Sequence, residues 1–551
     1  MLTDDPPSAH DRRARAGILS AFAVFAAGYV VYSQTLAFHW DEGFHLLAAR
    51  AIASGKTPYI DFIFPQAPLN AYWNAAWLRV FGDSWRATHI SATVLLLGAI
   101  ALTTQYLYKR FPDARWRGNA ALVGVLLFGL NVFALEYGPI AQAYAFAMFM
   151  TAAALRASVA AVEKPAWTLA ALAGLCAGAA ACGTLLAAAP GPVFLAWILI
   201  YNQRGSPIAK FAGFAAGALA AFSPIVYLFA KGPRQAWFNL VQYQVIYRRV
   251  DWPGAGVHDV DVLTAWINRS QDLILLLLAL GAVVLLRRAF KSDAHNAAGR
   301  DNALPEPSAP GAVLFTDDIA DQPAGRDDAL SGSSDSLPIS GPRMKAPAWD
   351  RGQRAPFILC ICICVAVGLQ NGIAHPTFIQ YFLPMTPAAT ILATLGLYAL
   401  AIRIDVVDRP GRLIAGLACI FALGLGRGLF DDRESYTWRK LLEVAKKVEE
   451  VTPRNGTLLA EEQIYFITRR PAPPGIEFGF AHKLDLGAER NALLHIVPKK
   501  EMEARISARA YETDAICDDT DEVDRVDGLG LYAQKSDFGE CTVFWSLKPN
   551  P

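Results

Sequence analysis

The sequence predicts a polytopic α-helical membrane protein of about eleven transmembrane helices, followed by a small α/β domain outside the membrane. Three observations carry that prediction. Only 18% of the 551 residues are charged and 54% are hydrophobic, against about 25% charged in an average soluble domain. Apolar runs recur from Gly17 to Gly426, and a run of about 18 residues or more crosses a hydrocarbon core of about 30 Å as a helix. From Phe430 onward the composition is that of a soluble domain. The net charge of +1 offers no basic face, which argues against a nucleic-acid partner.

Taken in order, the spans fall near 16–36, 88–107, 119–135, 139–156, 166–183, 185–201, 208–230, 271–287, 355–373, 377–401 and 411–427. Three pairs read as one apolar stretch too long for a single crossing. Gly and Pro mark where each pair turns: Glu136-Tyr137-Gly138-Pro139 in the first, Gly183-Thr184 or Pro190-Gly191-Pro192 in the second, and Gln370-Asn371-Gly372 with His375-Pro376 in the third.

Lys and Arg near span ends set orientation. Arg12, Arg13 and Arg15 precede the first span; Lys109, Arg110, Arg115 and Arg117 follow the second; Arg287 and Arg288 follow the eighth. The tight turns on the opposite side carry no Lys or Arg. The pattern predicts a cytoplasmic N-terminus and an extracytoplasmic C-terminal domain. No small-residue cleavage signal follows the first apolar run, so it reads as a span that stays in the protein.

The expected organisation is a transmembrane domain over 1–429 and a soluble extracytoplasmic α/β domain over 430–551. Within the first lie an external loop at 37–87, a second external loop at 231–270 and an inner loop at 289–354. The inner loop is rich in Asp, Ala, Gly, Ser and Pro with few large apolar residues, a composition that predicts disorder. In the first loop, Leu69, Tyr72, Trp73, Ala76, Trp77, Val80 and Phe81 share a helical face that reads as interfacial. In the C-terminal domain, "YTWRKLLEVAKKVEEV" has helical periodicity, while "GTLLA", "ALLHIV", "GLYAQ" and "CTVFWSL" read as strands, the last two forming a hairpin. Six cysteines lie within spans and read as apolar packing residues. Cys517 and Cys541 fall in the external domain, where oxidising conditions permit a disulfide.

The chemistry concentrates in "FHWDEGFHLLAARAIASGKTPYIDFIFPQAPLNAYW", directly after the first span. Asp41 reads as the N-cap of a helix with Glu42 in its first turn, Gly55 as the stop and Pro58 as the exit. A carboxylate held at a loop–helix junction beside the membrane also serves as a base toward a hydroxyl. Both readings stand on the residues alone.

The order D-E-G (Asp41, Glu42, Gly43), a short helix, G-x-x-P-Y-x-D (Gly55, Pro58, Tyr59, Asp61), P-x-x-P-L (Pro65, Pro68, Leu69) and a closing Phe81-Gly82 resembles the GT-C superfamily of integral membrane glycosyltransferases. That superfamily includes protein O-mannosyltransferases and the bacterial transferases that add aminoarabinose to lipid A. "FIQYFLPMTPA" (Phe378 to Ala388) and "LAEEQIYFITRRP" (Leu459 to Pro471) are similar to later elements of the same family.

The resemblance implies a sugar donor on a polyprenyl phosphate and an acceptor hydroxyl activated by Asp41. The acceptor would be a lipid, a cell-surface glycan or a protein at the outer face of a bacterial inner membrane, and transfer would invert the anomeric centre. Residue chemistry offers Arg248 and Arg249 as a phosphate clamp, with attraction to anionic headgroups as the alternative. His375 and Tyr381 are candidate hydrogen-bond donors; Asp61 either contacts sugar hydroxyls or orients the loop. Glu42 either holds a metal, orients a cation or serves the helix dipole.

Gln380 and His89 stand where relatives often carry Arg, and Gln66-Ala67 where some carry Glu-Lys. Acidic residues and His39 and His45 leave a divalent metal open, and no other cofactor is called for. Two rival classes are a flippase for lipid-linked glycans, which would need ionisable residues within spans, and a noncatalytic assembly subunit of the same fold.

Overall fold

The computed structural model describes residues 9–248, 254–301, 349, 351–517 and 529–549. All eleven predicted spans are helical. The chain runs through α1 (Ala9–Thr35), α2 (Glu42–Ala53), α3 (Leu69–Phe81), α4 (Trp85–Arg110), α5 (Arg117–Gly129), α6 (Val132–Tyr137), α7 (Tyr144–Glu163), α8 (Trp167–Gly183), α9 (Pro190–Ile200) and α10 (Pro207–Lys231). After α11 (Pro233–Trp237) and a π-helical segment, Phe238–Tyr247, come α12 (Ala255–Asn268), α13 (Ser270–Asp301), α14 (Arg351–Gly372), α15 (Thr386–Arg403) and α16 (Gly411–Asp431). Among the described residues, eight helices are long and apolar enough to cross a membrane. Three predicted spans are shorter: α8, α9, and the stretch at 119–135, which the structure divides into α5 and α6. The division falls at Asn131, whose side chain accepts a hydrogen bond from the Ala134 amide and starts a new helix.

The three long apolar stretches turn where Gly and Pro placed the break. α6 ends at Tyr137 and α7 begins at Tyr144; α8 ends at Gly183 and α9 starts on Pro190; α14 ends at Gly372 before a 3₁₀ turn, Ile379–Met385, leads into α15. Helices α8 and α10 pack closely, where small residues let backbones meet. A Cβ on Gly217 would stand 1.9 Å from the Ala171 carbonyl oxygen, and one on Gly174 would stand 2.0 Å from that of Phe214. Part of the stretch expected to be disordered is helical, since α13 runs on to Asp301 and α14 starts at Arg351; most of the remainder lies outside the described residues.

The C-terminal segment begins with α17 (Trp438–Val451), capped by the Thr437 side chain. It continues through β1 (Leu458–Ala460), α18 (Glu462–Ile467), α19 (Ala488–Leu494), α20 (Lys499–Ser507), β2 (Thr513–Ile516), β3 (Tyr532–Phe538) and β4 (Cys541–Leu547). The sheet order is β1-β2-β4-β3, with β1 parallel to β2 and the remaining pairs antiparallel. The predicted hairpin is β3–β4, turning on Gly539 at φ 71°. "ALLHIV" is not a strand: its first residues finish α19, and His495 adopts left-handed φ 56°. The central strand β2, "TDAI", carries too little alternation to read as a strand alone. Cys517 and Cys541 are disulfide-bonded, one residue beyond the β2–β4 pairing of Ile516 with Thr542.

Candidate active site

Where α1 ends, five connections converge on one cavity of about 200 Å³. They are the turn into α2, the α6–α7 turn, the α8–α9 link, the π-helical segment and the α14–α15 link. Asp41, Arg248, His375 and Tyr381 all line it.

Asp41 immediately precedes α2, but its side chain makes no capping hydrogen bond. Its backbone is already helical, φ −61° and ψ −12°, whereas a capping residue needs extended geometry to fold its oxygen over the next amides. The turn is closed by other bonds: the Glu42 amide donates to the His39 carbonyl at 3.0 Å, and the Asp41 amide to His39 Nδ1 at 3.2 Å. The cap reading is thus corrected. The Asp41 carboxylate has no hydrogen-bond or ion-pair partner among the described residues and faces the cavity.

Glu42 is sequestered instead. It is fully buried, with Oε1 2.7 Å from His89 Nε2 and 2.7 Å from the Ala141 amide, while Trp438 Nε1 donates to Oε2 at 3.3 Å. His89 Nδ1 lies 2.6 Å from the Ser33 carbonyl oxygen, which only accepts, so Nδ1 carries a proton. One acid therefore ties together α1, α2, α4, the α6–α7 turn and α17. Three hydrogen-bond partners thus surround the Glu42 carboxylate. Among the described residues, no three His, Cys, Asp or Glu side chains gather into a metal-binding group.

Gly43 follows for a steric reason. A Cβ there would stand 2.6 Å from Gln463 Cδ and 2.9 Å from the Gln463 backbone nitrogen, so α18 can lie against α2 only across glycine. The rest of the loop is stitched similarly. Gly55, at φ 98°, ends α2; the Tyr59 hydroxyl donates to the Gln66 carbonyl at 2.6 Å; and Gln244 Nε2 donates to the Pro65 carbonyl.

Arg248 supplies the cavity's positive charge. Its guanidinium lies 5.0 Å from the Tyr381 ring centroid and 5.7 Å from that of Phe378, and it has no hydrogen-bond partner among the described residues. Burial pushes its pKa down, opposed by Tyr144, Tyr243, Asp41 and Asp259. His375 Nδ1 is hydrogen-bonded to Asp259 Oδ2, and the Thr377 amide donates to Asp259 Oδ1 at 2.6 Å. Desolvation acts to raise the Asp259 pKa, but these two hydrogen bonds and the nearby histidines outweigh it and hold the carboxyl below its usual range.

Besides Glu42, three predicted site residues are placed elsewhere or lie outside the described residues. Asp61 is exposed, accepting a hydrogen bond from the Thr57 amide at 2.6 Å, so it braces a turn. Gln380 is buried in the 3₁₀ turn and does not reach the cavity. Arg249 lies outside the described residues. Conversely, Gln142, Tyr144 and Gln244 line the cavity without having been singled out as site residues, and so does His45, named only as a possible metal ligand. His45 was legible, because residues four apart on a helix share a face; Asp259 was not, since its partner is 116 residues away.

The fold is that of a membrane protein with many apolar helices and a small C-terminal sheet domain. Two solved structures of ArnT from Cupriavidus metallidurans share it. The one bound to undecaprenyl phosphate aligns with TM-score 0.55 over 96% of this chain and 97% of that one; the apo form aligns with TM-score 0.58 over 96% and 98%. Identity is 11% in both, so the likeness establishes the fold. No protein-family model and no curated protein matches the sequence.

Proposed function

We propose that the protein is an inverting glycosyltransferase that moves a sugar from a polyprenyl phosphate to a hydroxyl group on the outer face of the membrane. The observation that carries this reading is a carboxylate, Asp41, and a guanidinium, Arg248, on one cavity at the end of the first span, neither with a side-chain hydrogen-bond partner among the described residues. The acceptor hydroxyl gives its proton to Asp41 as its oxygen attacks the anomeric carbon. The bond from that carbon to the phosphate oxygen breaks, and its electron pair stays on the phosphate. The phosphate passes from one negative charge to two, and Arg248, beside Tyr381 and His375, stabilises the added charge. An undecaprenyl phosphate ligand in a protein of this fold supports a lipid-phosphate donor.

The distribution of Lys and Arg supports an outward-facing site in a bacterial inner membrane. The acceptor class is a lipid, a cell-surface glycan or a protein. The test is transfer from a panel of synthetic polyprenyl-phosphate sugars by purified protein, beside Asp41→Asn. Collapse of transfer by about 10²-fold or more in the variant is the expected result for loss of a base. Undiminished transfer by Asp41→Asn overturns the role of Asp41.

A further inference from the structure

His45 stands one helical turn beyond Asp41 on the same face of α2 and lines the same cavity. Its ring is 8% exposed, stacked on Phe44 with centroids 4.3 Å apart and met edge-on by Phe64 at 5.9 Å. Nδ1 is buried and has no hydrogen-bond partner among the described residues. A buried polar atom left unpaired costs stability, and an aromatic or aliphatic side chain would fill this slot without that cost. A histidine retained here has a use that packing does not explain.

The geometry also selects its form. Burial, with a smaller contribution from His39, pushes the His45 pKa down to about 3, so the ring is neutral throughout the working range. A neutral imidazole has one N–H. With the proton on Nδ1, a buried donor would be orphaned; with the proton on Nε2, only a lone pair goes unsatisfied and the N–H belongs to the polar atom left for the cavity. The charged groups that share the cavity, Asp41 and Arg248, already provide a proton acceptor and a phosphate partner. Both are charged; His45 places an uncharged donor, the kind of partner a sugar hydroxyl oxygen takes, one helical turn from Asp41.

Resting on the glycosyltransferase reading, we infer that His45 is a sugar-recognition residue: a neutral imidazole whose Nε2–H donates a hydrogen bond to a hydroxyl oxygen of the transferred sugar.

The test uses the full-length protein in lipid nanodiscs with two probes, polyprenyl phosphate and a polyprenyl-phosphate sugar that the wild type transfers. His45→Phe keeps the stacking on Phe44 and removes the orphaned atom; His45→Gln keeps a neutral donor. His45→Phe is expected to bind polyprenyl phosphate as the wild type does, to bind the sugar-bearing lipid about tenfold more weakly, as for loss of one hydrogen bond, and to be no less thermally stable. The pH profile of its residual transfer should keep the wild-type shape. His45→Gln is expected to recover most of the lost affinity.

Equal weakening toward both lipids would make His45 a phosphate contact and overturn the inference. So would unchanged binding of both, or a loss of stability in both variants that tracks the loss of binding. If the wild type transfers from no polyprenyl-phosphate sugar, the glycosyltransferase reading itself fails and this inference falls with it.

Discussion

Glu42 gives the sharpest test of how the site is held. Truncation to Ala removes the acceptor for His89 Nε2 and for the Ala141 amide, both at 2.7 Å, and for Trp438 Nε1 at 3.3 Å. All these groups are buried, so water does not replace the lost bonds. Breaking a buried pair by removing one partner costs about 3–5 kcal/mol. For 551 residues unfolding as one unit, about 4 kcal/mol lowers the thermal midpoint by about 3–4 °C. His89→Ala should cost a similar amount, because it strips the opposing group and frees the Ser33 carbonyl. The double variant loses the same pair only once. Its destabilisation should therefore fall short of the summed single effects by at least about 1 kcal/mol. The assay is thermal unfolding of the four proteins in nanodiscs, followed by tryptophan fluorescence because Trp438 and Trp85 border the pair with centroids 5.3 Å apart. A midpoint for Glu42→Ala within about 1 °C of wild type, or single effects that add in the double variant, would refute the reasoning.

Gly43→Ala should destabilise the protein by about 1–3 kcal/mol, since α18 must retreat from a Cβ 2.6 Å from Gln463; faster proteolysis near α18 is the measurement. Arg248→Gln should weaken binding of polyprenyl phosphate by about 10–100-fold, the range for hydrogen bonds to a charged group, and Arg248→Lys by less, measured by lipid titration. The folded-state pKa of His45, about 3, lies below its ordinary 6.5. The neutral ring thus contributes stability that is present above pH 6.5 and is lost as the pH falls toward 3. His45→Phe should gain on the wild type in thermal midpoint as the pH falls across that range, from a start at least level with it, and parallel acid curves would contradict the burial argument.

How much of this was legible follows from the range over which each signal acts. Span placement depends on runs of apolar residues, and the turns depend on local Gly and Pro, so all eleven helical regions were readable. The break at Asn131 was missed because a cap inside an apolar run has only one polar residue to announce it. Asp41 was readable both as a cap and as an acid for a site, because the same residue type serves both, and the backbone ψ excludes the cap. Asp61 looked equivalent to it in composition and proved to brace an exposed turn. His375 was readable as a polar residue before proline, whereas its orientation by Asp259 depends on α12 reaching the α14–α15 link. Hydropathy carries no information about such contacts.

The same reasoning changes what the C-terminal segment is for. A domain tethered only by sequence would leave the membrane helices to form the cavity alone. Here Gln463 donates to the Trp40 carbonyl, Arg50 donates to the Tyr465 carbonyl at 2.9 Å and the Arg470 carbonyl at 2.7 Å, and Trp438 stacks on Trp85 at 11° while bonding Glu42. These contacts bracket Asp41 on both sides in sequence, at Trp40 and Glu42. Neither neighbour touches the cavity, yet together they fix the backbone from which Asp41 projects. The placement of the carboxylate is therefore a joint property of α2 and the C-terminal domain, and D-E-G is legible as three separate demands: an acid for the cavity, an acid for the clamp, and a glycine for the domain that closes on them.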